Sequence, residues 1–435
     1  MQRIALPPID KRLKARYLML VQSHLRSAPK FAAGVASLPS TASAFAATQA
    51  AWRFLNNNRV SLAALIDPIR TVARERFAAS EMSFGLLVHD WSKLTFAKND
   101  GKRDLTEISH PKDRGYELTT ALLVSADDGN PVAPMEIQLK TADGMLSTRP
   151  RAAAPKSHHD QVLPTMKASH NWGLAKPLVH VIDRELDSVD HFRQWDAKGE
   201  KFLVRCDDRR VRWEEGSHLL SEIRTQLHFR MIKDVPYHDV TAELWVAETS
   251  VILDKPAYKK VKTKEGKSKR KKLSGKPLTL RFVTVQLRDS TGNILAEWIL
   301  LSNVPAAWAN AEKLAFCYYW RWRIESFFKL LKGHGQQVEQ WQQETGPAIA
   351  RRLLVAAMAC VVVWQLQADE SPEAEELKGV LVRLSGRQMK RPRTYTTPAL
   401  LAGLWVMLSM LALLEVVDLE RLQVLAGLIP VINSG

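Results

Sequence analysis

Apolar residues along this chain change their period several times, and each change marks an element. From Asp10 to about Ile69 they recur at helical spacing among basic residues and alanines, as in ASAFAATQAAWRFLNNN, with Ser40 and Thr41 as start signals just after Pro39. That spacing predicts a small helical bundle. MSFGLLVHD (82–90) is a short apolar run closed by an acid, and ELTTALLVSADDGNPVAPMEIQLK (117–140) reads as two strands about a DDGN turn. A helical segment with histidines follows at about 158–175, then the apolar strand PLVHVID (177–183), a helix, and KFLVRC (201–206). Strand, strand, strand, helix, strand, helix, strand is the order of a mixed α/β sheet, here with acids at strand ends.

Between about Asp207 and Pro305 the runs LHFRMI, TAELWVAE, LRFVTVQLR and NILAEWILLS read as further strands, a β insertion. Helical spacing returns near Glu325 and continues through RRLLVAAMACVVVWQL, which is apolar nearly all round. LLVAAMACVVVW (353–364) is too short to span a bilayer and ALLAGLWVMLSMLALL (399–414) falls short of the roughly 20 residues needed, so both are expected as buried helices. The breaks divide the chain into a helical part at 1–70, a core at 71–366 with its insertion at about 207–305, and a helical part at 367–435.

One helical stretch, YYWRWRIESFFKLLKGHG (Tyr318 to Gly335), carries polar groups at unusual offsets. At about 100° per residue, Tyr318, Arg321, Glu325 and Lys332 fall within an arc of roughly 60°, with Lys329 just beside it. Phe327, Leu331 and Trp320 gather on another side that can meet a core. The stripe reads either as a solvated face with an Arg321–Glu325 pair at i,i+4 or as one wall of a site.

Charge sharpens the picture. Lys and Arg total 62 against 46 acids, a formal net charge of +16 that favours a polyanionic partner. More than half of the excess sits in KKVKTKEGKSKRKKLSGK (Lys259 to Lys276), ten basic residues against one Glu, which is either a solvated loop or a contact with a DNA backbone. Cys206, Cys317 and Cys360 are isolated and unpatterned, which excludes a disulfide framework and a cysteine-based zinc site. The first residues lack the apolar stretch of a signal peptide, so a reducing, cytoplasmic setting is expected.

Asp90 and Asp183 end strands, and Glu325 sits on a helix. If the fold brings them together, three carboxylates repel one another unless a divalent cation sits among them, and oxygen ligands select Mg²⁺ or Mn²⁺. Two such ions, about 3.5–4 Å apart, are the apparatus of in-line phosphoryl displacement in nucleases and strand-transfer enzymes.

Tyr318-x2-Arg321-x3-Glu325-x6-Lys332 resembles the YREK signature of bacterial insertion-sequence transposases of the DDE class, and RWRIE is a close local match. DRELDS (Asp183 to Ser188) resembles the family's DRE segment after its second acid, and HDWSKLTF is similar to the segment holding the first. AWRFLNNNRVS (51–61) resembles its end-binding region, and all four segments keep the family's order. The resemblance implies an RNase H-like core interrupted by the β insertion, with Asp90, Asp183 and Glu325 as catalytic metal ligands. It implies DNA-backbone contacts for Tyr318, Arg321 and Lys332, support from Arg184 and Glu185, and a basic residue near the site in Arg205. Lys329, beside the stripe, joins the DNA-binding set. Trp298 resembles the Trp that in relatives occupies the space of a flipped base during hairpin formation, a stacking role, although its alternation with Ile294, Ala296 and Leu300 equally describes a core position. His89 can tune the site or be structural.

The implied activity is cut-and-paste excision: strand nicking, hairpin formation and opening, then strand transfer. Double-stranded DNA at the element's terminal repeats and at the target is the implied partner, a homodimer the implied assembly, and the helical C-terminus its expected interface. The region after Glu325 is shorter than in the best-known relative and the 259–276 stretch denser in charge, which leaves the DNA path open. Two other readings stand beside this one: another RNase H-fold nuclease, which would share the acids without the stripe, and an inactive, transposase-derived DNA-binding protein.

Overall fold

The computed structural model describes residues 4–26, 41–96, 101–108, 110, 112–150, 158–238, 240–262, 268–333, 335–387 and 395–428. Three helices lead, α1 (Lys11–Arg26), α2 (Thr41–Leu55) and α3 (Leu62–Ala79), the last capped by the Ser61 side chain and running ten residues past the expected limit at Ile69. Strands β1 (Gly85–Thr95), β2 (Thr106–Glu107), β3 (Arg114–Ser125), β4 (Pro131–Thr141) and β5 (Gly144–Ser147) follow. After α4 (Val162–Ser169) come β6 (Leu178–Ile182), α5 (Val189–Asp196) and β7 (Lys201–Arg205). The next stretch supplies β8 (Arg210–Trp213), β9 (Gly216–Leu219), α6 (Leu220–Gln226), β10 (Arg230–Tyr237), β11 (Val240–Leu253), β12 (Ala257–Lys262), β13 (Ser268–Leu273), β14 (Leu278–Arg288) and β15 (Ile294–Ser302). Helices close the chain: α7 (Ala311–Tyr319), α8 (Trp322–Leu331), α9 (Gly346–Ala368), α10 (Pro372–Leu384), α11 (Thr397–Leu414) and α12 (Leu419–Ala426).

One mixed sheet orders its strands β5-β4-β3-β1-β6-β7-β15-β14-β11-β8-β9, with β2 beside β3 and β10 beside β11. β1, β6 and β7 are mutually parallel neighbours, while β3 and β15 flank them antiparallel. Apart from β12 and β13, which pair only with each other, the strands of the 207–305 stretch therefore extend the same sheet through β15.

Alternation along the strands feeds two apolar clusters, one on each face. Val179, Val181 and Leu203 join the cluster that includes α3, α8 and α9, whereas Ile182, Phe202 and Val204 join the one under α4 and α5. α9, apolar all round, is buried along most of its length, as its composition predicts.

Three expectations need correction. Asp90 does not end its strand, because β3 pairs with β1 along all eleven residues; only the parallel partner β6 stops, its last pair being His89 with Ile182. The described part of the basic stretch after Lys259 is largely strand rather than loop: β12 and β13 pair in register from Ala257–Leu273 to Lys262–Ser268, while residues 263–267 and the side chains at 258–271 lie outside the described residues. α11 is not a buried helix. Its start packs under α10, where Gly403 lies so close to the Leu381 backbone that a side chain would collide, while Val406, Met410, Leu411 and Leu414 face outward.

Candidate active site

Strand register alone brings the first two acids together. Leu86 pairs with Val179 and Val88 with Val181, so two residues further on Asp90 stands beside Asp183, both on the α8 side of the sheet. The same count from Val181–Leu203 sets Arg205 next to Asp183, and the Leu300–Arg205 pair brings β15, with Trp298 two residues away, onto that face. Where β6 ends, Asp183 caps a short 3-10 turn at Arg184–Leu186 by accepting from the Arg184 amide at 2.7 Å.

Glu325 arrives from above, and the helix that carries it is not the single one its periodicity predicts. The chain breaks at Trp320–Arg321, where amide bonds of i to i−3 type, Arg321 to Tyr318 and Ile324 to Arg321, join α7 to α8. The break is braced by the turn between β3 and β4. Gly129, at φ +70°, lies against the Trp320 ring where no side chain would fit, and its carbonyl accepts from Arg323 Nε at 2.8 Å. Tyr318, Arg321 and Glu325 still reach one point across the break. Lys332 lies past the end of α8, 3.9 Å from the Glu339 carboxylate.

At that point the Arg321 guanidinium binds every acid: Nη1 to Asp90 Oδ2 at 3.1 Å, Nη2 to Glu325 Oε1 at 2.9 Å and to Asp183 Oδ2 at 3.5 Å. Tyr318 donates its hydroxyl to Asp183 Oδ1 at 3.0 Å, and Arg205 stands 3.8 Å from the same oxygen. Burial, the dominant cause, pushes the Asp90 carboxyl up to about 6, with Asp183 and Glu325 adding to the rise and Arg321 and the Trp91 amide opposing it. Arg321 itself is raised by Tyr318 and the three acids against the cost of its burial.

Among the described residues no three His, Cys, Asp or Glu side chains are gathered closely enough to hold a metal ion as they stand. The acids meet through Arg321 rather than through each other. Their chemistry nonetheless fits a hard divalent cation: three carboxylates, partly buried, around a centre that already holds a positive group.

The remaining predicted residues lie at varied distances from the centre. Arg184 is exposed and pairs with Asp207 at 3.4 Å; Glu185 lies 3.9 Å from His159. Lys329 is exposed on α8. Trp298 is covered, its ring 5.4 Å from that of Tyr318 at 60°, so in this structure it packs as core beneath the site. His89 points to the opposite face and bonds His180 Nδ1 at 3.0 Å. Sequence reasoning missed Thr120, which faces Asp90 across the β1–β3 pair and keeps a buried hydroxyl with no hydrogen-bond partner. Only the register, which no local pattern specifies, reveals it.

Residues 144–362 match the family model of the transposase DDE domain, and residues 9–60 match that of the transposase DNA-binding domain. No curated protein matches the chain. The first match covers β5 to α9 and so includes Asp183, Arg321 and Glu325, while Asp90 joins them through the register of β1. The sheet and its flanking helices are those of an RNase H-like transposase core. With that match spanning just over half of its 435 residues, the chain belongs to the transposases with a DDE domain.

Proposed function

We propose that this protein excises a mobile DNA element by cut and paste: it nicks one strand at each end, joins the freed 3′-hydroxyl to the opposite strand as a hairpin, opens it, and transfers the end to target DNA. The observation that carries this reading is the meeting of Asp90, Asp183 and Glu325, from three distant stretches, around Arg321. The three carboxylates would hold one or two Mg²⁺ or Mn²⁺ ions, whose chemistry makes a water or a 3′-hydroxyl nucleophilic and offsets charge on the leaving oxygen.

The chain's own groups supply position. Tyr318 orients Asp183 through its hydroxyl. Arg321 and Arg205 reach the centre, and Arg184, Lys329 and Lys332 surround it at the rim, as phosphate contacts that fix the strand without reading its sequence. Trp298 backs the Tyr318 ring, and a stacking role with a displaced base requires it to become uncovered.

End recognition falls to the first helices. Phe45, Gln49, Trp52, Arg53 and Asn56 are all exposed, at helical offsets along one side of α2 and its C-terminal end, and Gln, Arg and Asn are the side chains that read base edges bidentately. A homodimer is favoured by the outward apolar residues of α11 and α12, which include Met410, Leu411, Leu419 and Val424. DNA as partner and three buried, unpaired cysteines favour the bacterial cytoplasm as the setting.

The test is product analysis on labelled linear DNA carrying the element's terminal repeats with Mg²⁺ or Mn²⁺. Hairpin-ended fragments, absent with Glu325→Gln, are expected. Open ends from hydrolysis of both strands would replace the hairpin route, and cleavage indifferent to the repeats would favour a general nuclease.

A further inference from the structure

Arg321 stands where a cation would have to stand. Its side chain is only 6% exposed, and its two terminal nitrogens contact a carboxylate oxygen of each of the three acids. A guanidinium and a divalent cation cannot share that space, since they repel at short range in a poorly solvated site. The residue is also placed to leave. It sits at the break between α7 and α8, and its third donor, Nε, is buried without a partner. A planar guanidinium binds a phosphate with the same two-pronged geometry it uses for carboxylates, so a DNA backbone offers it an equivalent partner.

We propose that Arg321 is an internal counter-ion that keeps the three acids closed to divalent cations until a DNA phosphate draws its guanidinium away, so that metal loading and DNA engagement are coupled. This rests on the reading of Asp90, Asp183 and Glu325 as metal ligands. The coupling is reciprocal: whatever factor DNA contributes to metal affinity, metal contributes to DNA affinity. It confines the reactive state to the DNA-bound protein and protects other nucleic acid from a loaded nuclease.

The experiment is calorimetric titration of Mn²⁺ into the full chain, with and without a pre-cleaved duplex of the terminal repeat. Without DNA, Arg321→Gln is expected to bind Mn²⁺ about 5- to 150-fold more tightly than wild type. The duplex is expected to tighten Mn²⁺ binding to wild type by a similar factor and to leave Arg321→Gln unchanged. Arg321→Lys, which restores a charge, should bind Mn²⁺ weakly again. Equal affinity of wild type and Arg321→Gln without DNA would overturn the proposal while leaving the metal site intact. So would a duplex that does not tighten binding to wild type, a result that needs no variant to fold. If no protein binds Mn²⁺ with or without duplex, and Glu325→Gln behaves as wild type does, the metal-ligand reading itself fails.

Discussion

Tyr318 shows how one residue can serve both fold and site. Its ring packs edge-on to Trp298 and its hydroxyl donates to Asp183, so it holds that carboxylate in place. Tyr318→Phe keeps the ring and removes the bond, and is expected to lower stability in urea by about 1 kcal/mol. An unchanged midpoint would show that the bond to Asp183 adds nothing to stability. Trp298→Ala, which empties a buried position, should cost about 3–5 kcal/mol, far more than a surface stacking residue would. At this scale the sequence was legible where fixed offsets place groups on one side, as for Tyr318, Arg321 and Glu325. Lys332 escaped because α8 stops at Leu331 and the angle of the stripe no longer applies. The bridging role of Arg321 escaped for a different reason: it depends on Asp90 and Asp183 being neighbours, which no spacing within 318–335 contains.

At the scale of elements, α9 ties the DNA-binding segment to the catalytic core. Arg351 on α9 donates to the Leu55 and Val60 carbonyls at 2.8 Å each, gripping the end of α2 and the turn after it. Removing the guanidinium takes both bonds from backbone carbonyls at and beyond a helix end, where intrahelical partners run out. Arg351→Met is expected to destabilise by about 1–3 kcal/mol and to weaken binding to the terminal repeat, read by gel shift; unchanged binding would show that α2 is held in place without this grip. Strand and helix types were mostly readable because period 2 and period 3.6 alternate cleanly along the chain. β12 and β13 were not, since a run of lysines carries no apolar alternation, and their pairing is supplied by the backbone. α11 was misjudged because composition reports how apolar a helix is and not what covers it; one side meets α10 and α1, as far along as Ser409, while Met410, Leu411 and Leu414 stay exposed.

Among the described residues three histidines are buried, His24, His89 and His180, and they shape the response to pH. Burial, first among the causes, lowers His24, His89 and His180 below the ordinary histidine value, His24 to about 3. A histidine lowered in the folded state contributes its stability fully above about 6.5 and loses it as pH falls, because the unfolded chain takes up protons that the folded chain refuses. Stability is expected to fall below about pH 6.5, approaching about 1.4 kcal/mol per pH unit for His24, with His89 and His180 acting in the same direction. Asp90 works in the opposite sense below about 6, since its raised carboxyl favours the protonated fold. Urea midpoints across about pH 7.5 to 5.5 should therefore show a slope that His24→Gln reduces by one proton; an identical slope would mean that His24 is not the group responsible. Whether Asp90, Asp183 and Glu325 act as one metal-dependent centre is decided by single-turnover cleavage of a terminal-repeat duplex with Mg²⁺. Asp90→Asn, Asp183→Asn and Glu325→Gln should each lose on the order of a hundred- to thousandfold or more in rate while still binding the end. Full cleavage by any one of the three would contradict the account.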